Sequence, residues 1–235
     1  MRSPLPPTVV FDLDGTLADT APDLVATLNA ILAREGLPPV AAAEARDMIG
    51  AGARALIQRG FALAGRDLAP ARLDALYAAF LAHYAEHLCG GTTLYPGVLG
   101  ALDRLEEAGC LLAVCTNKVE AHAVSLIEAL GLRERFAAIC GRDTFPVCKP
   151  DPGHILLTVE RAGGDPQQAV MVGDSRTDVA AAQAAGLPAV AVPFGYSDVP
   201  VETLGPDVVI RHFDELAAAV LALLAPERSR LAAMA

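Results

Sequence analysis

The sequence predicts an α/β fold in which a parallel sheet is covered by helices on both faces and carries an all-helical insertion. From about residue 97 onward, short β-rich runs alternate with segments of helical periodicity, which favours parallel strands joined by helices. One further apolar run, at residues 9–11, stands alone near the start. Between residues 21 and 88 the apolar residues recur at helical spacing, and no strand run interrupts them. With 235 residues, 53% of them hydrophobic, the chain can bury a sizeable core.

The first predicted element is a buried strand at residues 9–11, and the helical insertion follows it. The insertion contains three groups of apolar residues at helical spacing: Leu24, Leu28, Ile31 and Leu32; Leu56, Ile57 and Leu63; and Leu73, Leu76, Tyr77, Phe80 and Tyr84. The chain is expected to return at residues 95–97, because Pro and Gly end a helix and turn the backbone. We therefore expect a core formed by residues 1–18 and 92–235 and a helical domain formed by residues 19–91.

The remaining elements alternate along the second part of the chain. Strands are predicted at residues 111–116, 137–140, 169–173, 189–192 and 207–210. Helices are predicted at residues 98–108, 120–130, 153–162, 177–185 and 213–224. This order predicts a core with a Rossmann-like parallel sheet flanked by helices.

The charge of the chain excludes several classes of partner. Its formal net charge is −10, whereas nucleic acids and anionic membranes select basic surfaces. The five cysteines include no pair at C-x-x-C spacing, which predicts free thiols in a reducing compartment. Residues 1–8 contain no apolar segment typical of a signal peptide. We expect a cytoplasmic protein, and the sequence leaves its oligomeric state open.

Two carboxylates directly follow the first predicted strand, in the motif Asp12-Leu13-Asp14-Gly15-Thr16. In open α/β sheets, ligands bind at the carboxyl ends of the strands. Two carboxylates this close repel each other unless a hard cation such as Mg²⁺, which prefers oxygen ligands, lies between them. The alternative is an ordinary turn after a strand, where Asp and Gly are common.

Three further groups of polar residues lie at similar positions. Asp174 and Asp178 follow the predicted strand at 169–173, Thr116 and Asn117 end the strand at 111–116, and Lys149 precedes a proline. Taken singly, each has a simpler explanation, since Asp, Ser and Thr cap helices and a lone lysine is usually solvated. Their shared placement after strands and before helices indicates one site.

In this order and context, the four motifs resemble those of the haloacid dehalogenase superfamily. They are the aspartate motif at residues 12–16, Thr116-Asn117, Lys149-Pro150 and the acidic motif at residues 173–178. The resemblance extends from about residue 9 to residue 224 and implies that the insertion is a helical cap of the superfamily's type-one members. Within the superfamily the chain is most similar to the phosphoglycolate phosphatases, through residues 11–20, 21–24, 49–54, 94–97 and 212–216.

The resemblance implies a role for each matching residue. Asp12 would be the nucleophile that forms an aspartyl-phosphate, and Asp14 would protonate the leaving alcohol and then activate water. Mg²⁺ would be held by the carboxylates of Asp12 and Asp174 and by the backbone carbonyl of Asp14. The second acid favours phosphate esters over halides, because an alkoxide needs a proton to leave.

The same resemblance assigns the residues around the phosphoryl group. Thr116 and Lys149 would hold its oxygens, and Thr16 and Asn117 would contribute to phosphate binding. Asp178 would orient Lys149 or a water bound to the metal.

The predicted substrate is a small organic phosphate, with 2-phosphoglycolate as the first choice. We expect the loop at residues 49–54 to face the site, because its glycines permit close approach and Arg54 can bind a carboxylate bidentately. Alternatively, the glycines only connect two helices and Arg54 is solvated. A sugar-phosphate phosphatase or a β-phosphoglucomutase-like isomerase uses the same core motifs. A phosphoaspartate switch and a non-catalytic binding protein are alternatives from other classes.

Overall fold

The computed structural model describes residues 5–50 and 52–225, without the side chains of residues 43, 46 and 47. Its strands are β1 (Thr8–Phe11), β2 (Ala18–Asp19), β3 (Thr93–Leu94), β4 (Leu111–Cys115), β5 (Ala138–Cys140), β6 (Ala169–Gly173), β7 (Ala189–Ala191) and β8 (Val208–Val209). Its α-helices are α1 (Ala21–Arg34), α2 (Ala42–Ile49), α3 (Ala53–Leu63), α4 (Pro70–Glu86), α5 (Val98–Glu107), α6 (Glu120–Ala129), α7 (Pro152–Ala162), α8 (Arg176–Ala185) and α9 (Leu216–Leu224).

The core is a six-stranded sheet with the strand order β5-β4-β1-β6-β7-β8, and every pairing in it is parallel. Side chains alternate between its two faces, as the geometry of a strand requires. Val9 and Phe11 pack in the cluster that contains residues of α5, α6 and α9, whereas Val10 packs with residues of α7 and α8. The sheet is therefore buried on both sides, and the predicted α/β core is confirmed.

The helices α1 to α4 pack around a separate hydrophobic core. The largest buried side chains of this core include Leu28, Phe80 and Tyr84. The two-stranded antiparallel pair of β2 and β3 lies where the chain leaves the first core segment and where it returns. The domain boundaries at residues 18/19 and 91/92 stay a prediction. The predicted core also includes residues 1–4 and 226–235, which lie outside the described residues.

A buried carboxylate joins the two chain segments at this crossing. Asp23, in the first turn of α1, accepts hydrogen bonds from the backbone amides of Gly91 (2.7 Å) and Thr92 (3.0 Å) and from the Thr92 hydroxyl (2.6 Å). Because Asp23 is only 8% exposed, these bonds are shielded from water and stabilise the junction. Within the described residues, none of the helices combines the length and the apolar character of a transmembrane segment.

Candidate active site

Three adjacent strands of the sheet end in polar residues. Asp12 follows β1, Thr116 follows β4 and Asp174 follows β6, and β1 lies between the other two strands. The three side chains are almost fully buried. Parallel strands bring their carboxyl ends to one edge of the sheet, so residues far apart in the sequence become neighbours there. The Thr16 hydroxyl, for example, donates to Oδ1 of Asp174, 158 positions away, at 2.9 Å.

The structure groups Asp12, Asp174 and Asp178, each of which offers a carboxylate oxygen within 4.8 Å of the others. Burial, opposed by Lys149, raises the pKa of Asp12 to about 6, and the neighbouring carboxylates add to the increase. Burial, Asp178 and Asp12 raise the pKa of Asp174 well above its ordinary value. A hard divalent cation fits this donor set, since carboxylate oxygens are its preferred ligands and its charge offsets their repulsion.

Lys149 supplies a fixed positive charge beside the acidic group. Its ammonium lies 3.0 Å from Asp12 Oδ1 and 2.6 Å from Asp178 Oδ1. Burial acts to lower the pKa of Lys149, but these two carboxylates outweigh it and raise the pKa. Lys149 is therefore charged, and Asp178 contacts it directly, while the orienting role predicted for Asp178 stays a prediction.

The backbone of Lys149 is held from two sides. Asn117 donates from Nδ2 to the Lys149 carbonyl at 3.0 Å, and the Lys149 amide donates to Nδ1 of His154 at 3.2 Å. Burial and the nearby Lys149 charge lower the pKa of His154 to about 4, so this ring is neutral near pH 7. Since Nδ1 accepts, the proton resides on Nε2, which lies 3.0 Å from the Gly141 carbonyl. No sequence pattern singles out His154.

The Asp174 carboxylate accepts hydrogen bonds from two donors. Thr16 donates to Oδ1, and the Tyr196 amide donates to Oδ2 at 2.6 Å. Gly15 lies against this carboxylate with φ +85°, and a Cβ there would be 2.5 Å from Oδ2. Only glycine fits this position. Thr16 thus contacts the candidate metal ligand directly, while its predicted contact with phosphate stays a prediction.

Asp14 forms an ion pair that the sequence did not predict. Its Oδ1 lies 2.8 Å from the ammonium of Lys118, whose side chain is 6% exposed. The Lys118 nitrogen also lies 4.5 Å from the centre of the Tyr84 ring in the cap helix α4. The adjacent Thr116 and Asn117 were the one sequence feature that pointed to this loop.

A cavity between the core and the helical insertion contains these groups. Its polar end is lined by Asp12, Asp14, Thr116, Lys118, Lys149 and Asp174, and the cap contributes Leu24, Leu56, Tyr77, Phe80 and Tyr84. Ile49, Gly50, Gly52 and Ala53, from the loop predicted to face the site, also line it. Apolar side chains over a charged floor would exclude water from a bound ligand, which strengthens electrostatic interactions there.

Arg54 lies outside the residues that line this cavity. Its Nη1 lies 2.5 Å from Asp74 Oδ1, and its guanidinium stacks on the Tyr77 ring at 4.4 Å. The arginine side chain is 42% exposed. Its predicted contact with a substrate carboxylate stays a prediction, and the structure pairs it with a surface acid of α4.

The fold and the side-chain set define a class of protein. A parallel α/β sheet that presents a buried aspartate, further carboxylates and a lysine at its strand ends, under a helical insertion, is typical of hydrolases that use an aspartate nucleophile. Comparison of sequences leads to the same class: the haloacid dehalogenase-like hydrolase family matches residues 9–192. The chain belongs to this family.

The chain is also similar to individual proteins over most of its length. It is 51% identical to the phosphoglycolate phosphatase of Agrobacterium fabrum, covering 92% of this chain and 93% of the relative. It is 46% identical to the phosphoglycolate phosphatase of Caulobacter vibrioides, covering 92% of each chain.

Solved structures agree with the fold. A predicted phosphoglycolate phosphatase of Haemophilus somnus has a TM-score of 0.83 at 32% identity, covering 91% of this chain and 97% of the other. CbbY of Rhodobacter sphaeroides in complex with xylulose-1,5-bisphosphate has a TM-score of 0.73 at 26% identity, covering 90% of this chain and 96% of the other.

Proposed function

We propose that the protein is a magnesium-dependent phosphatase that hydrolyses 2-phosphoglycolate to glycolate and phosphate. The observation that carries the proposal is the buried Asp12 carboxylate 3.0 Å from the Lys149 ammonium, in a cluster with Asp174 and Asp178. The relatives named phosphoglycolate phosphatase, at 51% and 46% identity over nearly their whole length, support the substrate.

In the first step, with Asp14 protonated rather than paired as a carboxylate with Lys118, an Asp12 oxygen attacks phosphorus, the ester bond breaks and Asp14 gives its proton to the leaving oxygen of glycolate. Lys149 and Thr116 stabilise the charge that develops on the phosphoryl oxygens. Asp12, Asp174 and the Asp14 carbonyl would hold Mg²⁺, which supplies further charge neutralisation at the same oxygens when bound.

In the second step, water hydrolyses the aspartyl-phosphate. Asp14, now a carboxylate, takes a proton from the attacking water, the bond between Asp12 and phosphorus breaks, and phosphate leaves. Asp14 regains its proton in this step, so one carboxyl group serves both half-reactions. Its side chain is partly exposed to the cavity, which gives it access to both the alcohol and the water.

A sugar phosphate is the second candidate substrate. The structure of CbbY in complex with xylulose-1,5-bisphosphate shows that a protein of this fold accommodates a larger phosphate ester. A small organic phosphate is the partner common to both candidates. The cytoplasm remains the predicted location, consistent with the five cysteines, all of which are free thiols in the structure.

A screen of phosphate monoesters, with and without Mg²⁺, tests the proposal. We expect the highest kcat/KM for 2-phosphoglycolate and activity that depends on added Mg²⁺ after treatment with a chelator. If a hexose or pentulose phosphate were the better substrate, the second candidate would replace the first. If the chelated enzyme kept full activity, the metal assignment would be wrong.

The nucleophile is tested by Asp12→Asn. An amide cannot form the acyl phosphate, so kcat should fall by roughly 10⁴-fold or more. Circular dichroism and the thermal midpoint would show that the variant is folded. Turnover near the wild-type rate would remove Asp12 as the nucleophile.

A further inference from the structure

Lys118 is a buried lysine at the edge of the cavity, and it has no role in the phosphoryl transfer proposed above. It lies two residues after Thr116, and its amide donates to the Thr116 hydroxyl at 3.1 Å. Its side chain is 6% exposed, and the residue lines the cavity. Burying an ammonium costs free energy unless it is paired, so a lysine in this position needs an anionic partner.

The two cavity lysines contact different acids. Lys149 contacts Asp12 and Asp178, the groups around the phosphoryl position, whereas Lys118 contacts Asp14 at 2.8 Å. In the proposed reaction, Asp14 gives its proton to the ester oxygen. A group next to Asp14 is therefore next to the leaving group rather than next to the transferred phosphate.

We propose that Lys118 determines substrate specificity by binding the carboxylate of the leaving group. This inference rests on the proposed function. In 2-phosphoglycolate the carboxylate is separated from the ester oxygen by one methylene carbon, so it lies beside whatever contacts that oxygen. The substrate carboxylate forms an ion pair with the Lys118 ammonium, sharing it with Asp14 or displacing Asp14 from it.

Tyr84 adds a second donor at the same place. Its hydroxyl is buried and forms no hydrogen bond of normal geometry with the described residues, and its ring contacts the Lys118 ammonium, which acts against the rise in the tyrosine pKa that burial causes. Unpaired buried hydroxyls are costly, and an anionic ligand would satisfy this one. Because Tyr84 belongs to α4, a carboxylate bound here would also form a contact with a helix of the cap.

The test compares 2-phosphoglycolate with 2-hydroxyethyl phosphate, which replaces the carboxylate by an uncharged alcohol of similar size. In the holoenzyme with Mg²⁺, the ratio of kcat/KM for the two substrates measures recognition of the carboxylate. Lys118→Met keeps most of the unbranched side chain but removes the ammonium and its charge. We expect it to lower this ratio by about 10- to 100-fold, the worth of one charge-assisted hydrogen bond. Lys118→Arg should restore part of the ratio.

Arg142→Met is the matched control, because Arg142 is another cation that lines the cavity. A ratio lowered by Arg142→Met but not by Lys118→Met would overturn the proposal. So would equal losses on both substrates in Lys118→Met, since these would mean that Lys118 serves only Asp14. If the wild-type enzyme had no preference for 2-phosphoglycolate, the proposed function itself would fail.

Binding measurements cover the case of a variant too slow to assay. Calorimetric titration of Asp12→Asn and of Asp12→Asn/Lys118→Met with both phosphates, in the presence of Mg²⁺, gives the same comparison without turnover. We expect Lys118→Met to weaken the binding of 2-phosphoglycolate by about 10- to 100-fold more than the binding of 2-hydroxyethyl phosphate. Equal weakening would contradict the proposal.

Discussion

At the residue scale, the burial of Asp12 makes its proposed roles in catalysis and metal binding depend on pH. Burial raises the pKa of Asp12 to about 6, and the pKa of Asp174 is raised as well. Below these pKa values the metal-free protein carries protons that a divalent cation must displace. Asp12 is therefore available as a carboxylate ligand mainly above pH 6, and the raised pKa of Asp174 acts in the same direction.

This gives a prediction for the pH dependence of metal binding. The apparent affinity for Mg²⁺ should fall as the pH decreases through 6, by about tenfold per pH unit for each proton displaced. Calorimetric titration at pH 7.5, 6 and 5 measures the affinity. Repeating each titration in buffers of different ionisation enthalpy measures how many protons the protein releases when Mg²⁺ binds. An affinity that does not change between pH 7.5 and 5 would show that neither carboxylate is a ligand.

Lys149 gives a second prediction at this scale. Lys149→Met removes the cation that contacts Asp12 and Asp178, so kcat for the phosphatase reaction should fall by about 10²- to 10³-fold. Arg104→Met, on α5 at an exposed ion pair with Asp214, is the control and should leave kcat unchanged. Steady-state kinetics at saturating Mg²⁺ measures both. A loss of less than threefold would mean that Lys149 does not stabilise the transition state.

The sequence motifs identified the candidate site residues at strand ends and in the loops after them. They did not identify the residues that hold these side chains in place. Asp12, Thr116 and Asp174 directly follow strands and Lys149 lies in the loop before α7, and these positions are visible in the sequence. Lys118, His154 and Tyr196 form contacts with residues of other segments, and no periodicity or motif marks such contacts.

Arg54 shows the opposite case. Its guanidinium suits a substrate carboxylate, but in the structure it lies against Asp74.

At the scale of elements, the junction between core and cap depends on Asp23. We predict that Asp23→Ala lowers the free energy of unfolding by about 2–3 kcal/mol, because buried amides of Gly91 and Thr92 lose their acceptor. Asp74→Ala, at an exposed ion pair on α4, is the matched control and should cost less than about 1 kcal/mol. Urea unfolding followed by circular dichroism measures both. Equal effects would mean that Asp23 is not important for the junction.

The predicted elements of the core agree with the structure to within one or two residues at most ends, because long runs of buried apolar residues in a parallel sheet are visible in the sequence. The last predicted helix, at residues 213–224, divides into a 3₁₀ turn at Phe213–Glu215 and α9. The helix α2 was not predicted. Its eight residues contain mostly alanine and charged residues, so the apolar spacing that marks the other cap helices is weak.

At the scale of the whole molecule, the cation should couple the site to global stability. A ligand that binds only the native state stabilises it by about 2.7 kcal/mol at a concentration of 100 Kd. For a chain of this length, that corresponds to a rise in Tm of roughly 5–10 °C on saturation with Mg²⁺.

Asp174→Asn should abolish most of this rise, because it removes a carboxylate ligand from the cluster. Differential scanning calorimetry of the wild-type protein and the variant, each with and without Mg²⁺, measures the effect. An equal rise in the variant would show that the cation binds elsewhere.

The sequence by itself determined the α/β core, the helical insertion and the aspartate, threonine and lysine motifs, because strand burial and residues at strand ends leave local patterns. The resemblance to the haloacid dehalogenase superfamily, now confirmed by the family match, rested on those same motifs. Only the tertiary structure decided which charges meet. The pairing of Lys118 with Asp14 and the position of His154 behind Lys149 depend on side chains from distant segments sharing one low-dielectric space. The pairing of Arg54 with Asp74 also joins two helices that the sequence does not relate. Distances across that space are set by packing, which no local pattern records.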